Sequence, residues 1–556
     1  MKAPAVFFRT LAMAVLVGFA AACSDDDDGG NGPSAPATPS GLAAVEQTDG
    51  SIQVTWNAVA DATSYTLERT EPSTPGTFTQ VGGSLTTNSY SDTDVEPGVA
   101  YGYRVMAVNA IGSSSPSGTV NVTTTGAKVA TLTGIITQSR TLYADTVYTL
   151  QGFVKVANNA VLTIQPGTRI VGDSETAGSS LWILRGSQID AQGTADAPIV
   201  FTSERPEGSR ATGDWGGLVI VGNGIINRSG VVNTEGPAGV AENYGGGTDN
   251  TSSSGTLRYV RVEFAGYDVS GGGNSELNAF SFYGVGSGTT LEYLEALAGL
   301  DDSFEWWGGA ADARYLVSYE AGDDHFDTSE GYVGRVQHAI GFQSTRLTPA
   351  VGTGVIATDP QGFEMDGCAG SGCDLGTRSE PFTNPIFANV TMVGNPGESQ
   401  TSGGRGIVLR RGHLGFLSNL ILAKWPAAAV SVRDTSVTLA VRDSANIVNS
   451  VLAENAVAYE ASATPAFSEG DFATLFAGDN HRTAATAASV ITNLTPGSFD
   501  WTPTGDAATG CNTVAIPAEY NTANFFGGTL TLPAYCGAVD PAGPKWYEGW
   551  TSYATD

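Results

Sequence analysis

Histidine is nearly missing from these 556 residues, with four in all, at His325, His338, His413 and His481. None lies near a cysteine in sequence, and the cysteine spacing fits no zinc motif. Basic residues are also scarce. Lys and Arg number 26 against 56 acidic residues, giving a net charge of −30 and a pI near 4.3. Nucleic acid is excluded as a partner, because its phosphates need Lys and Arg to neutralise them. No G-x-S-x-G elbow occurs and no phosphate-binding loop stands at a strand–helix junction, so serine hydrolysis and nucleotide chemistry lack support. No segment reaches the roughly 18 consecutive apolar residues of a spanning helix, and no long segment has helical periodicity.

Glycine, by contrast, is abundant at 72 residues. From about Thr131 onward, short β-rich bursts alternate with Gly, Asn, Asp and Ser turns. The segment Asp301-Asp302-Ser303-Phe304-Glu305 recurs 22 residues later as Asp323-Asp324-His325-Phe326-Asp327, and then in degenerate form as Gly362-Phe363-Glu364-Met365-Asp366. Such a repeat predicts a coil whose turns stack, with one position of each turn beside the same position of the next. A region of nearly 400 residues also exceeds one globular core, whereas a solenoid simply adds turns. The fold class is all-β, with a parallel β-helix favoured over a β-propeller, whose repeats would run about 40 residues or more.

The first 22 residues read as an export leader. Lys2 and Arg9 flank a short apolar run ending Ala20-Ala21-Ala22-Cys23. Small residues before the cysteine resemble the lipobox of bacterial lipoproteins, which implies lipidation of Cys23 and a membrane anchor made of lipid. The tether at 23–38 opens Ser24-Asp25-Asp26-Asp27-Asp28, which resembles the surface-export signal of some Gram-negative lipoproteins. The resemblance implies an outer-membrane or cell-surface protein facing outward. Four cysteines then remain in an exported chain, and two disulfides follow most simply as Cys368–Cys373 and Cys511–Cys536.

Residues 39–125 alternate strands with turns as an antiparallel sandwich does. SIQVTWNAV around Trp56, SYTLERT around Tyr65 and YGYRVMAVNAIGSSSPS from Tyr101 resemble a fibronectin type III domain. The resemblance implies that Trp56 and Tyr65 are core and that Tyr103 ties a loop to the sheet. Farther on stand GTRIVGD, GTADAPIVFTS, GDWGGLVIVGNG, LRYVRVEFAG, GSGTTLEYLEAL, the DDSFE and DDHFD copies and FTNPIFANVTMVG. These resemble a largely uncharacterised family of bacterial cell-surface proteins with a pectate-lyase-like right-handed parallel β-helix. The expected helix spans 131–500, closed by a C-terminal cap segment at 501–556.

Aligning turns by their large apolar residues stacks Phe280, Phe304, Phe326, Phe363 and Ile407 facing inward. Strand side chains alternate, which predicts an outward row of Glu305, Asp327, Glu364 and Asp366 with Trp307, His325 and Arg410 at its edges, while Trp306 faces the core. Asp301, Asp302, Asp323 and Asp324 fall at the bend before that sheet. One reading is Asx-type turn chemistry in a structural envelope component. A second assigns calcium to Asp301, Asp302, Asp323 and Asp324, since Ca²⁺ takes six to eight hard oxygens, in an adhesion or glycan-binding protein that stacks a sugar on Trp307 beside Asp366. A third is a polysaccharide lyase or glycoside hydrolase using Glu305, Asp327 and Glu364, with His325 or Arg410 assisting. Arg410 would serve as a lyase base only with a strongly lowered pKa. Gly322-Asp323-Asp324 resembles the paired aspartates of polygalacturonases, but Gly-His-Gly and Arg-Ile-Lys are absent.

Overall fold

A computed structural model describes residues 34–556 apart from 48–50, 71–75, 96, 127, 270–275, 396–402, 434–445, 461–479, 512–514, 519 and 521–522. The leader, Cys23 and most of the expected tether therefore lie outside the described residues. The chain divides after Gly126 into two units.

In the first unit, a sheet of Ala43–Glu46, Ile52–Thr55 and Ser89–Asp92 accompanies one of Thr79–Leu85, Ser64–Thr70, Ala100–Val108 and Val120–Thr123. Trp56 and Tyr65 are buried in its core, edge to face at 5.3 Å. Tyr103 does not tie a loop. Its hydroxyl donates to Asp92 at 2.8 Å, and Asp92 also pairs with Arg69 at 3.0 Å. Arg69 and Asp92 sit in different sheets, so a buried ion pair joins the two layers, each charge satisfied by the other. The loop is tied by Tyr65, whose hydroxyl accepts the N–H of Val59 at 2.9 Å.

The second unit is a parallel coil, with 25 strands in one continuous hydrogen-bonded array. No closed barrel or propeller forms among the described residues. One face stacks Ser180–Ile183, Gly217–Val221, Phe280–Val285, Phe304–Gly309, Phe326–Ser329, Gln361–Asp366, Arg405–Arg410 and Ala428–Val432. The other two faces begin as separate strands, Gln188–Gln192 and Ile199–Ser203, and become two legs of one bent strand from Gly255–Glu263 onward. The bend falls at Tyr259, Tyr293, Tyr315, His338, Asn389, Asn419 and Asn449, all with φ between 49° and 62°. A bulky residue in that region is a backbone outlier. Here it is held by its neighbours in the stack: the tyrosine rings lie 4.3 and 4.5 Å apart and His338 continues the pile at 5.2 Å.

Inside the coil, Phe280, Phe304, Phe326 and Phe363 stack at 4.9, 5.5 and 5.3 Å, with Phe363 paired to Ile407, which is the predicted register. Both expected disulfides, Cys368–Cys373 and Cys511–Cys536, are formed.

From Leu530 the segment expected as a cap runs back along the coil. Gln337 donates to the carbonyl of Thr531 at 2.8 Å, and Asn389 to that of Tyr535 at 3.2 Å. Farther along, Ser552 donates its N–H to Glu295 at 2.9 Å, and Asp556 accepts from the N–H groups of Gly208 and Arg210. The stability of a solenoid is roughly a sum over neighbouring repeats, so a strap crossing many coils links terms that would otherwise act separately.

Asn419 joins both devices. It donates to the carbonyls of Pro533 and Tyr535 at 2.6 and 2.8 Å, and accepts from Asn449 at 3.3 Å. Asn419→Ala leaves these groups unpaired at a left-handed position. It is expected to lower stability by about 2–4 kcal/mol in denaturant titration.

Candidate functional site

The front face places Ser281, Glu305, Asp327, Glu364 and Val408 side by side, one per coil. At the bend before this row the two aspartates of each repeat have different work. Asp302 N–H donates to Asn278 Oδ1 at 3.1 Å, and Asp324 N–H donates to Asp302 Oδ1 at 2.8 Å. Gln361 N–H then donates to Asp324 Oδ1, and Arg405 N–H to Gln361 Oε1 at 3.0 Å. A staircase of side-chain acceptors thus satisfies one backbone donor per coil, as the turn-chemistry reading requires. Gly322 permits the close approach of these bends, since a Cβ there would lie 1.8 Å from the carbonyl oxygen of Leu300.

Asp301 and Asp323, the first aspartates of the pairs, take no part in that staircase. They complete a carboxylate cluster of three overlapping groups, each with oxygens within 4.8 Å: Asp301, Asp302 and Asp323; Asp302, Glu305 and Asp327; Asp324, Asp327 and Glu364. Asp302, Asp324 and Glu305 are buried, whereas Asp323, Asp327 and Glu364 are half-buried and form the mouth. Asp323 Oδ1 and Asp327 Oδ1 are buried with no hydrogen-bond donor. Two ionised carboxylates at this spacing repel by about 3–4 kcal/mol at an effective dielectric near 20.

Burial first, and mutual repulsion second, push Asp301, Asp302, Glu305, Asp324 and Asp327 well above the ordinary carboxylate range. Asp323 is pushed up to about 8 by burial and by Glu364. Glu364 is raised by burial and by Asp366, against the pull of Arg410. Arg410 lies between Glu364 and Asp366, and Asp366 also takes Arg411. Asp366 is therefore an ion-pair partner of two guanidiniums, which leaves it poorly placed to meet a ligand.

Three expected roles are overturned. Trp307 does not face a ligand, because the segment 222–254 folds over the outer side of the sheet and buries it. Trp307 stacks on Tyr283 at 3.9 Å in a second apolar cluster with Trp182, Ile226, Val232 and Tyr244. His325 lies inside the coil rather than at the edge of the row. Its strand starts only at Phe326, so alternation does not extend to it, and its Nδ1 meets Ser318 Oγ at 2.5 Å. Burial pushes it down to about 3, so it stays neutral. Arg410 is no lyase base: burial works against its charge, but Asp366 and Glu364 outweigh it and raise its pKa.

Two acidic residues at the rim escaped the sequence reading. Glu235, on the covering segment, bonds the Tyr283 hydroxyl at 3.3 Å and is pushed up to about 8 by burial. Glu276 is raised by burial and by Asp268. Neither belongs to the repeat, and only the folding of an irregular loop brings Glu235 here. The covering segment is itself held by Arg228 and Tyr244, which bond Glu330 at 2.5 and 2.6 Å, and by Ser229 N–H to the carbonyl of Gly372 in the disulfide loop at 2.8 Å.

A family model described as a pectate-lyase like beta helix domain matches residues 134–502, more than half of the chain. The chain belongs to this family. A fibronectin type III domain matches residues 37–123 ahead of the β-helix. A poly(3-hydroxybutyrate) depolymerase of Ralstonia pickettii is 37% identical over 100 residues, covering 18% of this chain and 19% of that protein. Exoglucanase B of Cellulomonas fimi is 38% identical over 91 residues, 16% of this chain and 8% of the relative. The chain thus spans under a fifth of the length of either. Among solved structures, a Fn3-like protein from Clostridium thermocellum shares 33% identity, covering 17% of this chain and 99% of its own, with a TM-score of 0.15. The pectate-lyase like β-helix is therefore the part that carries the carboxylate cluster.

Asp324→Asn keeps an acceptor for the Gln361 N–H and is expected to leave stability unchanged or raised in chelator. Asp324→Ala removes the acceptor and is expected to cost about 1–3 kcal/mol, read from the two melting curves. The pH dependence follows from the raised values. A carboxyl whose folded pKa lies above its unfolded one adds stability that is full below the unfolded pKa and is lost as pH rises through the folded pKa. In chelator, the melting temperature of the β-helix is expected to fall between pH 4 and about 8, where Asp323 titrates. A flat profile over that window would contradict this.

Proposed function

We propose that this is an exported surface protein that binds carbohydrate, with calcium held in the carboxylate cluster of its β-helix. The observation that carries the reading is charge without compensation. Seven carboxylates, Asp301, Asp302, Glu305, Asp323, Asp324, Asp327 and Glu364, share overlapping groups, and Arg410 is the guanidinium paired with them among the described residues, through Glu364. The donor set is entirely hard oxygen, as Ca²⁺ requires, and the buried, unpartnered Oδ1 atoms of Asp323 and Asp327 fit a cation. Asp302 and Asp324 each spend one oxygen on the bend and keep the other. A bound calcium would neutralise the row and offer coordination to a ligand hydroxyl or carboxylate at the mouth formed by Asp323, Asp327 and Glu364. The names of the partial relatives, a depolymerase and an exoglucanase, support polymer-associated chemistry. Lipidation at Cys23 supplies the anchor in this reading, and no helix among the described residues is long and apolar enough to cross a membrane.

A second reading, carbohydrate cleavage, is favoured by Glu305 and Asp327, which are paired across adjacent coils with oxygens within 4.8 Å. Retaining glycosidases set their two carboxyls about 5–5.5 Å apart.

Calcium is expected to raise the melting temperature of the full chain at pH 8, and Asp323→Asn with Asp327→Asn to abolish the rise. Glycan-array binding that needs calcium and disappears in the same variant supports the binder. Reducing ends released from a polysaccharide panel, and lost in Glu305→Gln, would favour cleavage instead. No calcium response in the unaltered chain would overturn the metal assignment.

A further inference from the structure

The stretch 225–232 of the covering segment helps to seal Trp307, through Ile226 and Val232 in the outer apolar cluster. This stretch is fastened to the loop that Cys368–Cys373 closes. Arg228 Nε donates to the carbonyl of Ser371 at 2.8 Å, and Ser229 N–H to that of Gly372 at 2.8 Å. Ser229 Oγ donates to Asp374 at 2.9 Å, and Cys368 Sγ itself lies 3.5 Å from the Asn227 carbonyl oxygen. Within the bridge, residues 369–371 are exposed, and Gly370 and Gly372 both have φ of 86°. Glycines leave the backbone free to change course, so the bridge is what fixes the carbonyls that hold Arg228 and Ser229.

The two disulfides differ in what can reach them. Cys511 and Cys536 are 2% and 0% exposed, so both residues are sealed. Cys368 is 1% exposed, but Cys373 is only half-buried and stands next to the exposed Asp374. Thiol–disulfide exchange requires access to one sulfur, and the outer bridge offers it.

The closed position also leaves polar groups unsatisfied. Asn227 is buried, and neither its Oδ1 nor its Nδ2 has a hydrogen-bond partner among the described residues. The Oγ of Ser329, the neighbour of Trp307 in the stack, has none either. Lifting the stretch hydrates these groups, which offsets part of the apolar contact that is lost. The rest of the covering segment has its own anchors: Arg185 donates to the carbonyl of Tyr244 at 2.6 Å, and Lys155 pairs with Glu242 at 2.6 Å.

We propose that Cys368–Cys373 is a thiol-sensitive latch: a dithiol reductant opens it, the stretch 225–232 lifts, and Tyr283 and Trp307 become a solvent-facing aromatic pair on the face that carries Glu305. In an exported chain the latch starts closed. The reductant's thiolate attacks the Cys373 sulfur, the S–S bond breaks, and the electron pair leaves on the Cys368 sulfur, which takes a proton. The reductant's second thiol then displaces the Cys373 sulfur, which is protonated in turn. Two cysteine thiols form as the dithiol closes to a disulfide. Neither step involves calcium.

The test treats the full chain with dithiothreitol in chelator under native conditions, blocks free thiols with iodoacetamide and reads the peptides by mass spectrometry. Cys368 and Cys373 are expected to be alkylated while Cys511 and Cys536 stay paired. Hydrogen exchange in 225–232 is expected to rise about tenfold or more, the worth of one or two hydrogen bonds. Hydroxyl-radical oxidation of Trp307 is expected to rise with it, and exchange in Ile386–Val393 to stay unchanged. Cys368→Ser with Cys373→Ser is expected to show the raised exchange without reductant and no further response to it. The latch is refuted if reduction leaves 225–232 and Trp307 as protected as before, or if Cys511–Cys536 opens as fast. A folded double variant that exchanges like the oxidised chain refutes it too; one that does not fold leaves the decision to the reduced, unaltered chain. Exchange that rises equally in Ile386–Val393 means that the bridge stabilises the coil as a whole, and overturns the proposal.

Discussion

Parallel strands stacked about 4.8 Å apart bring each side chain against its counterpart in the next coil, and this constraint governs everything else in the β-helix. For apolar residues the consequence is favourable: Phe280, Phe304, Phe326 and Phe363 form a continuous pile inside the coil. For carboxylates the same spacing is unfavourable, and Glu305, Asp327 and Glu364 lie at consecutive positions of the same stack. The repeat therefore carries one stabilising and one destabilising ladder on opposite sides of the same strands. Side-chain acceptors at the bend add a third ladder, from Asn278 through Asp302 and Asp324 to Gln361, which pins the register the other two depend on.

Cover from outside the repeat decides what each ladder does. The segment 222–254 turns Tyr283 and Trp307 from an outer surface into a second core, and it does so only on one flank of the acidic row. The C-terminal strap covers the bent-strand side, where Asn389 and Asn419 hold it. What remains half-exposed on the front face is the part with the highest density of carboxylates. Low dielectric on the covered side strengthens their repulsion, while the open side gives a cation or solvent access.

The coil, its register and the inward phenylalanines were legible in the sequence because they depend on spacing alone. The outward positions of Glu305, Asp327 and Glu364 followed from alternation and are the positions found. Trp307 and His325 were misplaced for two separate reasons. Alternation says which way Trp307 points, but not that Ile226, Val232 and Tyr244 will arrive to bury it. His325 precedes the first residue of its strand, so the period of two does not apply to it. Glu235 carried no signal, since an irregular loop has no period to read. The exchange of roles between Tyr65 and Tyr103 is similar in kind: both are buried tyrosines of the sandwich, and only the loop at Val59 and the position of Asp92 decide which hydroxyl does which work.

The staircase at the bend also bears on why the cluster is charged at all. Its first step is taken by Asn278 and its last by Gln361, both neutral amides that accept the next backbone N–H as the aspartates do. An ionised carboxylate is therefore more than the bend needs at Asp302 and Asp324. In a buried setting that extra charge is unfavourable, and Asp301 and Asp323 add to it without any share in the staircase. The fold offers one guanidinium contact in return, and Arg410 is already divided between Glu364 and Asp366. A purely structural account explains the acceptors but leaves the charges unexplained. Compensation from outside the chain offsets that charge, by protons up to about pH 8, where Asp323 titrates, or by a divalent cation, which still does so once the cluster has lost its protons.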